Sequence, residues 1–122
     1  MPVVITLTVI ILFHYVFFLG YVPTESMEPT LDTGSLILGL RLFGKLEPGD
    51  IIIFRHDNSY LVKRIAACAD DTLIHRNTEV LVPENCYYVL GDNAKNSYDS
   101  RHWKDPFVSH EDVIAKLMLP IN

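Results

Sequence analysis

Gly49-Asp-Ile-Ile-Ile-Phe-Arg-His-Asp-Asn-Ser-Tyr-Leu-Val-Lys-Arg-Ile65 is the stretch on which the fold turns. Asp50 to Arg55 and Ser59 to Ile65 read as two short strands divided by the Asp57-Asn58 break, with Pro48-Gly49 setting the first apart from what precedes it. Alternate side chains of a strand share a face, so Lys63 stands with Leu61 and Ile65 while Arg64 stands with Val62. An ammonium among aliphatic neighbours loses hydration, and its pKa falls from the ordinary value of about 10.4. A neutral lysine can take a proton. The plainer reading is an edge lysine whose charge reaches out to water, and only a nearby nucleophile would favour the first.

Working outward, similar strands recur: Ser35 to Leu40 before, then Thr72 to His75, Glu79 to Val82, Cys86 to Leu90 and Val113 to Leu119 after. No stretch of 10 to 12 residues beyond position 22 keeps a helical period, apart from a turn around Ser109 to Asp112 that Ser and Glu/Asp would cap. The expected fold is therefore mainly β, a small coiled antiparallel sheet or barrel. No repeat or long linker interrupts it.

The first 21 positions differ in kind. All 25 Asp, Glu, Lys and Arg lie between Glu25 and Lys116, and Val3 to Tyr21 is an apolar run of 19 residues broken only by Thr6, Thr8, His14 and Gly20. As one helix it would span about 28 Å, close to the roughly 30 Å hydrocarbon core of a bilayer. It lacks the basic start and small-x-small end of a cleaved signal, and the hundred remaining residues are few to enclose it. The expectation is a transmembrane anchor at 1–22, with Pro23 as hinge, and a β-rich domain at 23–122 carrying the whole net charge of −5. That sign argues against nucleic acid as a partner. His14 reads as a tolerated neutral imidazole without a role. With Arg41 the nearest cation, charge alone leaves the orientation open.

Two further stretches carry chemistry. Pro23-Thr-Glu-Ser-Met-Glu-Pro-Thr-Leu31 follows the apolar run with no strand period, which places Ser26 on an irregular loop. Leu90-Gly-Asp-Asn-Ala-Lys-Asn-Ser-Tyr-Asp-Ser-Arg-His-Trp103 has loop composition, yet it gathers Asn96, Ser97, Asp99 and Arg101, groups able to orient a lysine and brace a site with a charge-assisted pair. Cys68 and Cys86 would suit either a disulfide or two separate thiols. No Cys-x-x-Cys or His-x-x-x-His spacing points to a metal, and none is expected.

In this order, Ser-Met-Glu-Pro-Thr at 26–30, Gly-Asp-Ile-Ile-Ile-Phe at 49–54, Val-Lys-Arg-Ile at 62–65 and Gly-Asp-Asn with Asn-Ser-x-Asp-Ser-Arg at 91–101 resemble the successive boxes of the type I signal peptidases, membrane serine proteases of the Ser/Lys kind. The resemblance implies Ser26 as nucleophile, Lys63 as general base and a Thr24 hydroxyl beside the Ser26 N–H as oxyanion donors. It also implies Ser97 as the hydroxyl that bonds the base, and Asp99 as a carboxylate clamped by Arg101 and Arg64. It implies no cofactor, preproteins as substrates cut after a small-x-small motif, the lipid bilayer as partner, a monomer, and a catalytic domain outside the cytoplasm. The substrate would add as a strand along Asp50 to Phe54 and Lys63. Two departures stand out: Ala66-Ala-Cys-Ala-Asp-Asp71 replaces the usual Gly-rich turn, and only 27 residues separate Lys63 from Gly91.

Other classes remain in view. A Ser/Lys protease dedicated to a narrow client, pilin-like for example, has the same residues. A self-cleaving repressor would bring a DNA-binding domain and a basic balance. A catalytically silent membrane protein would need a broken dyad, and none is read here.

Overall fold

The computed structural model describes residues 2–121. Its elements are α1 (Pro2–Val16) and nine strands: β1 (Phe17–Tyr21), β2 (Leu36–Leu40), β3 (Ile51–His56), β4 (Ser59–Cys68), β5 (Thr72–His75), β6 (Thr78–Leu81), β7 (Cys86–Leu90), β8 (Phe107–Ser109) and β9 (Val113–Ile121). Seven strands form one antiparallel sheet in the order β1-β2-β9-β3-β4-β7-β8, and β5 and β6 form a separate hairpin.

The hairpin read from residues 50–65 organises the sheet. Asp57 and Asn58 both take positive φ, 47° and 65°, the geometry of the two-residue turn that matches strand twist, and His56 pairs with Ser59. Ile51 to Phe54 is a continuous apolar run because β3 is covered on both sides. Ile52 and Phe54 enter one core with Ile65, Val89 and Trp103, while Ile51 and Ile53 enter a second with Met27, Leu31, Ile37 and Val62. Burying each such side chain contributes about 1.5–3 kcal/mol.

The apolar N-terminus departs from the expected single helix. α1 stops at Val16 after 15 residues, about 22 Å at 1.5 Å per residue, and Phe17–Tyr21 turns into a strand paired with β2. Among the described residues no helix is long and apolar enough to cross a membrane. The aromatic pair Phe17-Phe18 favours a strand, and Arg41 supplies what a helix end needs. Its backbone N–H donates to the Val16 carbonyl at 2.6 Å and its Nε–H to the Phe17 carbonyl at 3.1 Å, a cation placed where the helix dipole favours it.

The turn after Lys63-Arg64 works without glycine. β4 continues to Cys68, the Asp71 carboxylate accepts the Cys68 N–H at 2.8 Å, and Asp70 takes the positive φ of 71°. Cys68 and Cys86 are both free thiols. Cys68 lies opposite Tyr87, so Cys86 is one residue out of phase: Cys68 packs against one core and Cys86 against another, on the opposite face. Beyond β8, a short 3-10 turn covers His110–Asp112, where the Ser109 hydroxyl accepts the Glu111 N–H as the capping pattern suggests.

Candidate active site

Three segments converge at one end of the sheet. The first is the loop after β1, tied down by Val22 N–H to the Ser35 carbonyl at 2.9 Å and by Gly34 N–H to the Val22 carbonyl at 2.7 Å. Met27 and Leu31 anchor its far side in the core. Ser26 sits between these anchors and is only 5% exposed. The Thr24 hydroxyl donates to Ser26 Oγ at 3.2 Å, and the Ser26 N–H points back to Thr24 Oγ1 at 3.4 Å. The Ser26 N–H and the Thr24 hydroxyl, two donors, thus lie beside Ser26 Oγ. A hydroxyl that accepts from Thr24 has its own proton available to a base.

The second segment is β4. Lys63 is 3% exposed and stands opposite Ile52 in the β3–β4 ladder, on the face it shares with Leu61 and Ile65 as the strand period required. Lys63 Nζ donates to Ser97 Oγ at 3.0 Å. Burial pulls the Lys63 ammonium below its ordinary pKa; the Asp99 carboxylate partly opposes this and the Arg101 guanidinium adds to it. Ser26, Thr24 and Lys63 line one pocket of about 390 Å³, and no direct hydrogen bond joins Ser26 to Lys63 among the described contacts.

The third segment, Gly91 to Arg101, braces both. Asp99 is fully buried. It accepts from Ser97 Oγ and the Gly91 N–H, each at 2.8 Å, and from Arg101 through both Nε and Nη2 at 2.9 Å. Burial alone would raise this carboxyl, but the Arg101, Gly91 and Ser97 hydrogen bonds together hold it below its ordinary value. The chain Arg101–Asp99–Ser97–Lys63 is therefore continuous, as the sequence suggested for Asp99 with Arg101.

Arg64 corrects that expectation. It does not join Asp99, because its side chain leaves β4 on the face opposite Lys63. Its Nε and Nη2 instead grip Asp92 at 2.8 and 2.7 Å, and its Nη1 reaches the Gly49 carbonyl at 2.8 Å. Asp92 also accepts from Thr30 Oγ1 at 2.6 Å. The Arg64 hydrogen bonds lower the Asp92 carboxyl against the opposing effect of burial, with Thr30 adding to them. Next to it, the Asn93 N–H donates to the Ser26 carbonyl at 2.8 Å and Asn93 Nδ2 to the Glu25 carbonyl at 3.0 Å. Asp92, Asn93 and Thr30 stand in the sequence only as parts of motifs, with no role; they hold the loop that bears Ser26.

Gly91 is a further residue that sequence reasoning passed over. A Cβ there would overlap Ser97 Oγ and come within 2.6 Å of the Ser26 carbonyl oxygen, so the Ser26 loop and the segment that bears Ser97 approach closely only because position 91 has no side chain.

The strand addition expected along Asp50–Phe54 is not open, since β3 is hydrogen-bonded to β4 on one side and β9 on the other. Ser59 to Lys63 of β4 pair only with β3, because pairing with β7 begins at Arg64. β1 pairs only with β2. Between these two free edges runs a groove of about 700 Å³ lined by Phe18, Gly20, Tyr21, Ile37, Ile53 and Val62, narrowed where the Phe18 and Tyr60 rings meet edge to face at 5.9 Å. Among the described residues no group of three or more His, Cys, Asp or Glu is placed to hold a metal ion.

A family model described as "Signal peptidase, peptidase S26" matches residues 1–82 and 72–121. The chain is similar to the probable signal peptidase I-2 of Synechocystis sp. at 28% identity, over 79% of this chain and 59% of that protein. It is 27% identical to signal peptidase I S of Bacillus subtilis, over 82% of this chain and 75% of that one. It is 33% identical to the mitochondrial ATP-independent inner membrane protease subunit 1a of Arabidopsis thaliana, over 74% and 62%. The chain thus spans between 59% and 75% of the length of these relatives.

Proposed function

Because this chain belongs to the signal peptidase S26 family, we propose that it is a serine endopeptidase of the signal peptidase I type, removing signal peptides from preproteins with Ser26 as nucleophile and Lys63 as general base. One observation carries this reading: a buried lysine, with its pKa lowered and its amine held by a second hydroxyl, lines the same pocket as a buried serine.

The neutral Lys63 amine takes the Ser26 proton as Ser26 Oγ forms a bond to the carbonyl carbon before the cleavage point. Negative charge moves to the carbonyl oxygen, where the Ser26 N–H and the Thr24 hydroxyl receive it; losing one such donor costs about 2.7–4 kcal/mol of barrier. Lys63, now an ammonium, gives its proton to the departing amine and the C–N bond breaks. Water then attacks the acyl ester on Ser26 with Lys63 again accepting the proton; the acyl carbon–Oγ bond breaks, Lys63 returns the proton to Ser26 Oγ, and the acid product leaves. Ser97, held by Asp99, limits the lysine to orientations that point at the serine.

The preprotein lies as an added strand in the groove between β1 and Ser59–Lys63, and its small P1 and P3 side chains face the packed aliphatic side of that groove. α1 bears on the place of action. Its apolar side chains are exposed around the helix, from Val3 at 70% to Phe13 at 45%, a surface that suits lipid better than water. It brings the catalytic domain to the membrane surface, on the extracytoplasmic side, where signal peptides emerge. Cleavage of a model preprotein tests the assignment: Ser26→Ala and Lys63→Ala each abolish it while retaining the wild-type circular dichroism. Processing at wild-type rate by either variant contradicts it.

A further inference from the structure

The pocket that holds Ser26 and Lys63 extends past them to a second wall for which the proposed chemistry has no use. This inference rests on the strand-addition reading above. Along β4, Ser59, Leu61 and Lys63 share one face and Tyr60 and Val62 the other. Tyr60 and Val62 border the apolar groove alone, whereas Lys63 borders the catalytic pocket alone. A peptide strand laid against this edge alternates in the same way, so if P1 and P3 face the groove, P2 faces the pocket.

That side is walled by flat rings. The His56 imidazole stacks on the Trp103 indole with centroids 4.0 Å apart and planes 19° from parallel. Tyr98 lines the same pocket, is 67% exposed, and stacks on His102 at 5.2 Å. Leu61 supplies an aliphatic floor beside them. The Asp57 carboxylate lies 3.4 Å from His56 Nε2 at the rim, which fixes the ring's outer edge. We infer that this wall is a specificity site for the P2 side chain, and that it takes a large, flat aromatic group between the two small residues. Trp103 is itself buried and backs the His56 ring, so a glycine or alanine at P2 leaves the His56 and Tyr98 rings facing water, whereas a phenyl or indole ring covers them.

Peptides with fixed small residues at P1 and P3, and Gly, Ala, Leu, Phe or Asp at P2, test this on the full chain in detergent. kcat/KM rises about tenfold from Gly to Phe, the lower end of what filling an apolar pocket gives. The Phe-to-Gly ratio falls to about one in His56→Ala and persists in His56→Phe, which restores a flat ring. Cleavage with a flat P2 profile in the wild type, or a ratio untouched in His56→Ala, overturns the inference alone. Cleavage of none of the peptides overturns the peptidase reading and this inference together.

Discussion

Two aspartate–arginine pairs flank the site, and they are built differently. Asp99 with Arg101 is buried at the carboxylate and runs inward through Ser97 to the lysine. Asp92 with Arg64 is partly exposed at both partners and runs sideways, through Thr30 and the neighbouring Asn93, to the loop that bears the serine. Ser26 and Lys63 are thus each held by a separate clamp, and the carboxylates of both clamps come from one short segment after β7. The buried clamp touches the electrostatics of Lys63; the exposed one sets only position.

The largest effect on activity is expected where the clamps meet. Gly91→Ala forces a methyl group into Ser97 and the Ser26 carbonyl, both firmly placed. It costs about 1–3 kcal/mol of stability as an overpacked site and at least about a hundredfold in kcat, measured by thermal unfolding and preprotein cleavage. Asp99→Ala comes next. It strands Arg101, Ser97 and the Gly91 N–H, and breaking a buried pair from one side costs about 3–5 kcal/mol, but it leaves the serine loop in place. Asp99→Asn is the sharper variant: the Asp99 charge raises the Lys63 pKa, so its removal moves the alkaline rise of activity to lower pH. Asp92→Asn has the smallest effect, about 1 kcal/mol as a partly exposed ion pair and about tenfold in activity, with the position of the pH profile unchanged. A profile shifted equally by Asp92→Asn and Asp99→Asn would erase the distinction between the clamps.

What could be read in the sequence follows the same division. Strand period put Lys63 on one face with Leu61 and Ile65, though only the Ser26 motif favoured that face as inward over an edge lysine, and the turn at Asp57-Asn58 was visible because its chemistry is local. Ser26, Ser97, Asp99 and Arg101 were legible as motifs, and the last three join in one hydrogen-bonded chain. The partner of Arg64 was not legible: two carboxylates lie in one loop, and only the three-dimensional path of Gly91 to Arg101 decides which faces which side of β4. Gly91 likewise looked like a turn residue, since a close approach of two distant segments leaves no mark on the residues beside it. The apolar run misled for another reason. Hydropathy does not distinguish a helix from an apolar edge strand, and the switch at Phe17 depends on pairing with Leu36–Leu40 and on Arg41, more than 20 residues downstream.

The central claim is that a desolvated Lys63 activates Ser26, and the pH dependence of kcat/KM for a preprotein tests it most directly. Only the neutral amine accepts the serine proton, and burial lowers its pKa, so activity rises with pH through an apparent pKa below the ordinary lysine value. The account predicts that rise in the wild type and its displacement to lower pH in Asp99→Asn. A profile flat from neutral to alkaline pH, or one whose rise comes only at the ordinary lysine value, would contradict it.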